Sequence, residues 1–294
     1  MTTTTRLMFD QMQAEIQAIE NDVALRAEIN FVGRADALDR IEFHLLDRMD
    51  DDGNELVQRA QILRDQFAAI DEEIFRRVRA GIANGTLRGE CLRQEFDHHV
   101  RKPVSSERGY DQLDVFVNGL LRLDTIPHET RTREPEMVFY QPTPARVILE
   151  LTEMMLITRD DIFYDLGSGL GQVCILVHLL TGARTHGIEF EPAYCDYARH
   201  SAQRLNLSSV QFINVDARDA PYADGTVFFM YTPFKGAMLA NVLKKIKDAT
   251  RGRAVSVCAY GECIDQVANE PWLELAAQRR TDVDALAVFK RSGP

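Results

Sequence analysis

The stretch Ile162-Phe163-Tyr164-Asp165-Leu166-Gly167-Ser168-Gly169-Leu170-Gly171-Gln172 decides the fold of this 294-residue chain. An apolar run ends in an acid. Three glycines follow at alternate positions, and the apolar spacing then changes from that of a strand to that of a helix. Glycine lets a backbone turn sharply and lets a ligand approach without side-chain obstruction. The same alternation continues downstream. Strands are expected at Ile162–Leu166, Thr185–Glu189, Val210–Asn214, Val227–Tyr231 and Ala254–Tyr260, and helices at Gln172–Leu180, Ala193–Leu205 and Ala237–Ala249. Leu273–Gln278 and Ala285–Arg291 read as a final two-stranded pair. Such alternation predicts an α/β fold: a parallel sheet covered on both faces, with ligands at the carboxyl ends of its strands.

Upstream of this region the pattern is helical. From Leu7 to about Arg101 there is no proline and no strand-like alternation. Apolar residues recur at helical spacing in three sets: Met8, Met12, Ile16, Ile19, Val23 and Leu25; Ile41, Leu45, Leu46 and Met49; and Ile62, Phe67, Ile70, Ile74, Phe75 and Val78. Breaks are signalled at Asn30–Gly33, at Asp50–Asn54 and at Gly81–Gly89, so three or four packed helices are expected. Prolines at 103, 127, 135, 142 and 144 mark a connector holding one more stripe, Leu113, Phe116, Val117, Leu120 and Leu121. Thr143 and Pro144 suit a helix cap and first turn, with the helix running to about Met155. The expected organisation is a helical domain at 1–101, a connector at 102–143 and an α/β domain at 144–294.

Composition narrows the class further. Apolar residues are 45% and charged residues 27% of the chain, the balance of a water-exposed globular protein. No run is apolar enough to span a membrane, and the N-terminus lacks the order of a secretory signal. The five cysteines, Cys91, Cys174, Cys195, Cys258 and Cys263, never stand as C-x-x-C. They read as buried thiols in a reducing, cytoplasmic compartment rather than as disulfides or a metal site. The net charge of −11 divides into −9 over residues 1–130 and −2 over 131–294. An acidic N-terminal half does not attract a phosphate backbone and suits a basic or neutral partner. His186 and the pair His98-His99 are read as structural or solvated.

The ligand follows from spacing and charge. A dinucleotide fingerprint would need its third glycine where Gln172 stands. A carboxylate at Asp165 would repel a pyrophosphate but attract an ammonium group or a sulfonium amino acid. Glu189, at the end of the second strand, is placed to accept both hydroxyls of a ribose. Asp216, after the third strand and followed by Ala217, is placed to accept from an adenine amino group. Acids at three successive strand ends around the bend of Gly167, Ser168, Gly169, Gly171 and Gln172 point to S-adenosyl-L-methionine.

The segment 158–173 resembles the cofactor loop of class I S-adenosylmethionine-dependent methyltransferases. Among them it is most similar to the non-SET histone-lysine methyltransferases of the disruptor-of-telomeric-silencing type. Tyr140 and Thr143 match that family's Y-x-x-T loop, which the resemblance implies covers the methionine end of the cofactor, and Gly187-Ile188-Glu189 matches its ribose segment. The resemblance spans roughly residues 140–260. It implies a Rossmann-like seven-stranded methyltransferase sheet, closed by a reversed strand pair, beside the all-helical N-terminal domain. Where that family carries two asparagines after the fourth strand, this chain has Tyr231-Thr232-Pro233-Phe234-Lys235-Gly236. This run also resembles the Asn-Pro-Pro-Tyr/Phe motif of amino-group methyltransferases.

The expected activity is methyl transfer to a nitrogen, with a protein lysine favoured. An RNA or DNA base, a small molecule, and a non-catalytic binding module are the alternatives. The acceptor side is assigned to Tyr231, Thr232 and Phe234, with Tyr140 as a further aromatic wall. Positioning is the main catalytic device, because in-line alignment alone supplies about 7–11 kcal/mol. No general base is evident. The helical domain is expected to select the acceptor, to cover the cleft, or to form a homodimer.

Overall fold

The structure is a computed structural model and describes residues 3–46, 55–100, 109–123, 125–280 and 285–291. The break expected at Asp50–Asn54 and the side chains of Met8, Leu45, Leu46 and Met49 lie outside the described residues. The chain divides into two compact units, Met1–Arg79 with Gln94–Lys102 and Ala80–Arg93 with Pro103–Pro294. The connector expected at 102–143 falls in the second unit, as do residues 80–93.

The first unit contains α1 (Thr3–Asn21), a short 3-10 turn (Val23–Arg26), α2 (Phe31–Asp39), a π-helical continuation (Arg40–Leu46), α3 (Glu55–Ala83) up to Arg79, and α4 (Gly89–His99) from Gln94. Met12, Ile16, Ile19, Leu25, Ala37, Ile41, Leu56, Ala60, Leu63 and Phe67 form its core. Two expected stripe residues leave that core. Val23 is 78% exposed because the Asp22 carboxylate takes the Ala24 N–H at 3.0 Å and ends the helical register of α1. Ile62 is 55% exposed on the outer face of α3. Asn30 caps α2 through the Gly33 N–H, so the expected break there is a helix start. Arg34 is fully buried. Its guanidinium satisfies Asp71 at 2.7 Å and the carbonyls of Leu25, Ala27 and Glu28, which makes the pair a structural one. His99 is also buried, with Nε2 3.2 Å from Glu95, rather than solvated.

The second unit holds α5 (Gln112–Leu121), α6 (Ala145–Met155), β1 (Ile162–Leu166), α7 (Gln172–Thr181), β2 (Arg184–Glu189), α8 (Pro192–Arg204), β3 (Val210–Asn214), β4 (Val227–Tyr231), α9 (Gly236–Ala249), β5 (Val255–Tyr260), α10 (Ile264–Ala268), β6 (Glu274–Arg280) and β7 (Ala285–Arg291). The sheet order is β3-β2-β1-β4-β5-β7-β6. The first five strands are parallel, and β7 runs antiparallel to both β5 and β6. This is the seven-stranded Rossmann-like sheet that the sequence implies. All five residues of β1 are buried, as expected for a central strand covered on both faces. Strand order reverses between β1 and β4, and ligands bind at such a switch point.

One expected cap is corrected. Thr143 does not cap α6, and Pro144 stands at the cap position without a side-chain bond. The Asp114 carboxylate from α5 does the capping. It accepts from Ala145 N and from Asp111 N, each at 2.7 Å, and so joins α5 to α6. Burial pushes the Asp114 pKa up to about 6. Four of the cysteines are buried, but Cys91 is exposed. No helix among the described residues is long and apolar enough to cross a membrane.

Candidate functional site

The loop from β1 to α7 turns on Gly167, Gly169 and Gly171, with φ of +80°, +50° and +87°. Two of its amides, Gly167 N and Ser168 N, donate to Ile188 O at 2.9 and 3.0 Å, which fastens the bend to β2. Gly169 N donates to Glu189 Oε2 at 2.7 Å, and the other carboxylate oxygen takes Glu191 N at 2.8 Å. Glu189 thus holds the bend as well as facing the cleft. At Gly169 the absence of a side chain is required twice over: φ is positive, and a Cβ there would overlap the Tyr140 ring.

The bend is electrostatically unbalanced. Asp165 is 3% exposed, and burial, reinforced by the charge of Glu189, pushes its carboxyl up to about 8. Burial also raises the Glu189 pKa, against the backbone donors that lower it. Ser168 Oγ and both amide atoms of Gln172 are buried without any partner. Buried polar atoms are normally paired, so such a cluster calls for a ligand or water. Gln172 opens α7, whose cap residue, Gly171, has no side-chain bond to offer. A helix start attracts a carboxylate, and two buried acids attract a cation. The donor set therefore fits an amino-acid nucleoside that carries both charges. Asp165, Ser168 and Gln172 would hold its amino-acid end, and Glu189 its ribose.

A cleft opens beside the bend at the ends of β1, β2 and β4. Its free space of about 920 Å3 runs out into open solvent. Of the residues expected at the site, Tyr140, Gly167, Glu189, Ala217, Tyr231, Thr232 and Phe234 line it. Thr143, Asp165, Ser168, Gly169, Gly171, Gln172 and Asp216 do not. Tyr140 covers Gly169, and burial moves its phenol well above the usual range, so it stays protonated. The Asp216 carboxylate is engaged by Arg218, at 2.9 and 2.7 Å, and that pairing lowers its pKa.

The loop after β4 supplies the opposite wall. Tyr231 packs against Tyr260 with ring centroids 4.6 Å apart. Thr232 adopts a left-handed backbone, φ +37°, uncommon for a branched residue and worth a functional explanation. Its hydroxyl donates to Tyr260 O and accepts from Cys263 N, both at 3.2 Å. The Thr232 side chain therefore fixes the turn while still lining the cleft. A Cβ on Gly167 would lie 2.5 Å from that of Pro233, so this wall stands directly on the glycine bend.

Of the segment 129–141, which completes the cleft, the sequence signals only Tyr140. Glu191 accepts from Thr130 N, Thr130 Oγ and Arg131 N at 2.6–2.9 Å. Glu136 accepts from Ala237 N and Met238 N at the start of α9, and its carbonyl takes Lys235 N. Met137 and Phe234 form an antiparallel bridge, and Val138 N donates to Pro233 O at 3.0 Å. The segment is thus zipped onto the β4 loop. Glu191 alone had a legible signal, an acid followed by Pro192 at a helix start.

Residues 163–252 match the family described as methyltransferase domain. The matched stretch makes this region a methyltransferase domain, and it takes in the glycine bend together with Asp165 and Glu189. Solved structures similar to it include an RNA methyltransferase from Salinibacter ruber, in complex with S-adenosyl-L-homocysteine (24% identity, 51% of this chain and 94% of that one, TM-score 0.44). Others are the putative methyltransferase yhhF from Escherichia coli (17%, 52% and 92%, TM-score 0.45) and a precorrin-6y C5,15-methyltransferase from Geobacter metallireducens GS-15 (14%, 53% and 94%, TM-score 0.43). At these identities the likeness is one of fold and assigns no acceptor. No curated protein matches the chain.

Proposed function

We propose that this domain methylates a nitrogen, and that the acceptor is the side-chain amine of a protein lysine. One observation carries the reading: an aromatic wall, Tyr140, Tyr231 and Phe234, stands beside the glycine bend with two buried acids behind it. Aromatic faces and carboxylates favour an amine over a carboxylate or phosphate acceptor. The charge of −9 over residues 1–130 favours a basic polypeptide over a nucleic acid. The Y-x-x-T resemblance at Tyr140 and Thr143 points the same way.

S-adenosylmethionine, when bound, supplies a methyl group already activated by its sulfonium. The protein's part is placement. Asp165, Glu189 and the α7 start would orient the donor, while Thr232, held by Tyr260 O and Cys263 N, keeps Tyr231 and Phe234 fixed as the acceptor wall. No histidine or lysine lines the cleft among the described residues, and Tyr140 keeps its proton. The acceptor amine accordingly enters in its neutral form.

The test is incubation of a cell lysate with the purified protein and tritiated-methyl cofactor, followed by acid hydrolysis of the protein fraction. Label recovered as N-methyllysine supports the reading. Label confined to nucleic acid or small solutes overturns it.

A further inference from the structure

Arg218, next to the cleft-lining Ala217, has no role in the cofactor or acceptor machinery described so far, yet its side chain pairs with two carboxylates. Its Nε and Nη2 donate to the two oxygens of Asp216 at 2.9 and 2.7 Å. Its Nη2 and Nη1 donate to the two oxygens of Glu134 at 2.6 and 3.2 Å. One planar guanidinium thus grips two carboxylates, each in two-point fashion, which only arginine can do. Its backbone is fixed as well: the N–H donates to Asp216 Oδ1 at 2.8 Å, and the carbonyl accepts from Lys245 Nζ of α9 at 2.8 Å. Glu134 belongs to the segment 129–141, which Glu191 and Glu136 pin on either side of it. Val215 and Ala217 line the cleft while the acid between them does not.

We propose that Arg218 is a positioning residue that latches the segment 129–141 over the β3 end of the cleft, where the nucleoside's base is expected, and that Asp216 serves this latch rather than reading the base edge. The proposal rests on the cofactor reading of the cleft. Both Asp216 oxygens are occupied by the arginine, so the adenine end is enclosed by the apolar Val215 and Ala217 and by the fastened segment. Opening the latch frees the cover without deleting any side chain that lines the cleft, since Arg218 and Glu134 are not among the lining residues. Its loss therefore shows in how long a nucleoside stays bound, irrespective of what stands at position 6 of the purine.

The test uses the full chain with two probes, S-adenosylhomocysteine and S-inosylhomocysteine, in which an oxo group replaces the 6-amino group. Dissociation rates are measured by surface plasmon resonance for the wild type, R218A, R218K, E134A and the R218A/E134A double variant, with hydrogen exchange followed over 129–141. Removing either latch partner is expected to speed release of both probes equally, by about five- to tenfold. The double variant is expected to lose no more than either single one, because they remove the same contact. R218K is expected to fail to restore slow release, and exchange is expected to rise in 129–141. E134A alters only a half-exposed acid, so it tests the latch even if Arg218 variants fold poorly. Wild-type binding that R218A and E134A leave unchanged overturns the latch alone. R218A binding the adenosyl probe more tightly, at the expense of the inosyl one, overturns it too, since Asp216 would then be reading the amino group. A wild type that binds neither probe overturns the cofactor reading, and the latch with it.

Discussion

The two sides of the cleft are built on opposite principles. At the glycine bend, polar groups are buried and left wanting: Asp165 has only another acid for company, and Ser168 Oγ and the Gln172 amide have no partner. Along 129–141, the buried acid Glu191 and the paired Glu134 and Glu136 are taken up by neighbours. Unsatisfied buried groups cost stability and are tolerated where a ligand completes them. Satisfied ones hold shape. Changes at the bend should therefore cost binding more than folding, and changes along the segment should act through the shape of the cleft.

The largest expected effect is at the bend. Asp165→Asn should weaken S-adenosylhomocysteine binding by about 2–5 kcal/mol in calorimetry, since it removes the buried charge facing a cation. The same change should leave the melting temperature level or higher, because the carboxylate is a burden to the ligand-free fold. A melting temperature that falls in step with affinity would mean that Asp165 is structural.

The pH dependence sharpens this point. The Asp165 carboxyl titrates at about 8 in the fold against 3.8 ordinarily. Its contribution to stability is complete below about pH 4 and is lost as pH rises to about 8. Binding has the opposite sign, because a cationic ligand selects the ionised form. Affinity should climb by about tenfold per pH unit from 6 towards 8 and then level, with Asp165→Asn flat over that range. A wild-type profile without slope would break the assignment.

Smaller effects follow on stability. Gly169→Ala should cost about 1–2 kcal/mol in urea unfolding, from the positive φ and the clash with Tyr140. Glu136→Ala should cost about 1 kcal/mol by uncapping α9, with affinity nearly kept. Far from the cleft, Leu156 ends α6 at φ +50° and is 79% exposed, so Leu156→Gly should gain up to about 1 kcal/mol and leave binding untouched.

Legibility in the sequence followed the same division. The bend was readable because its parts are contiguous: strand, acid, glycines and helix within residues 162–172. Strand boundaries through β1–β5 were readable because apolar runs alternate with helical stripes, and Glu189 because it ends such a run. The 129–141 cover was readable only at Tyr140, since the rest is aperiodic and defined by partners about 60 to 100 positions away, such as Glu191, Arg218 and Ala237. Asp216 stands correctly at the tip of β3, but its occupation by Arg218 depends on side-chain geometry that spacing does not encode. Val23 was misjudged, and the bonding of Thr232 was not foreseen, for a related reason. A local hydrogen bond, from Ala24 N in one case and to Tyr260 O in the other, is not encoded in their position in a pattern.

Because the cover begins some thirty residues before the matched stretch at 163–252, an excised piece starting at residue 144 would keep its glycines and acids but lose much of its rim. Glu191 would give up three donors, the first turn of α9 would have bare amides, and Phe234 would lose its bridge to Met137. Shortening this enzyme to its recognisable module would therefore yield an open half-cup, greasy at one lip and poor at retaining a nucleoside.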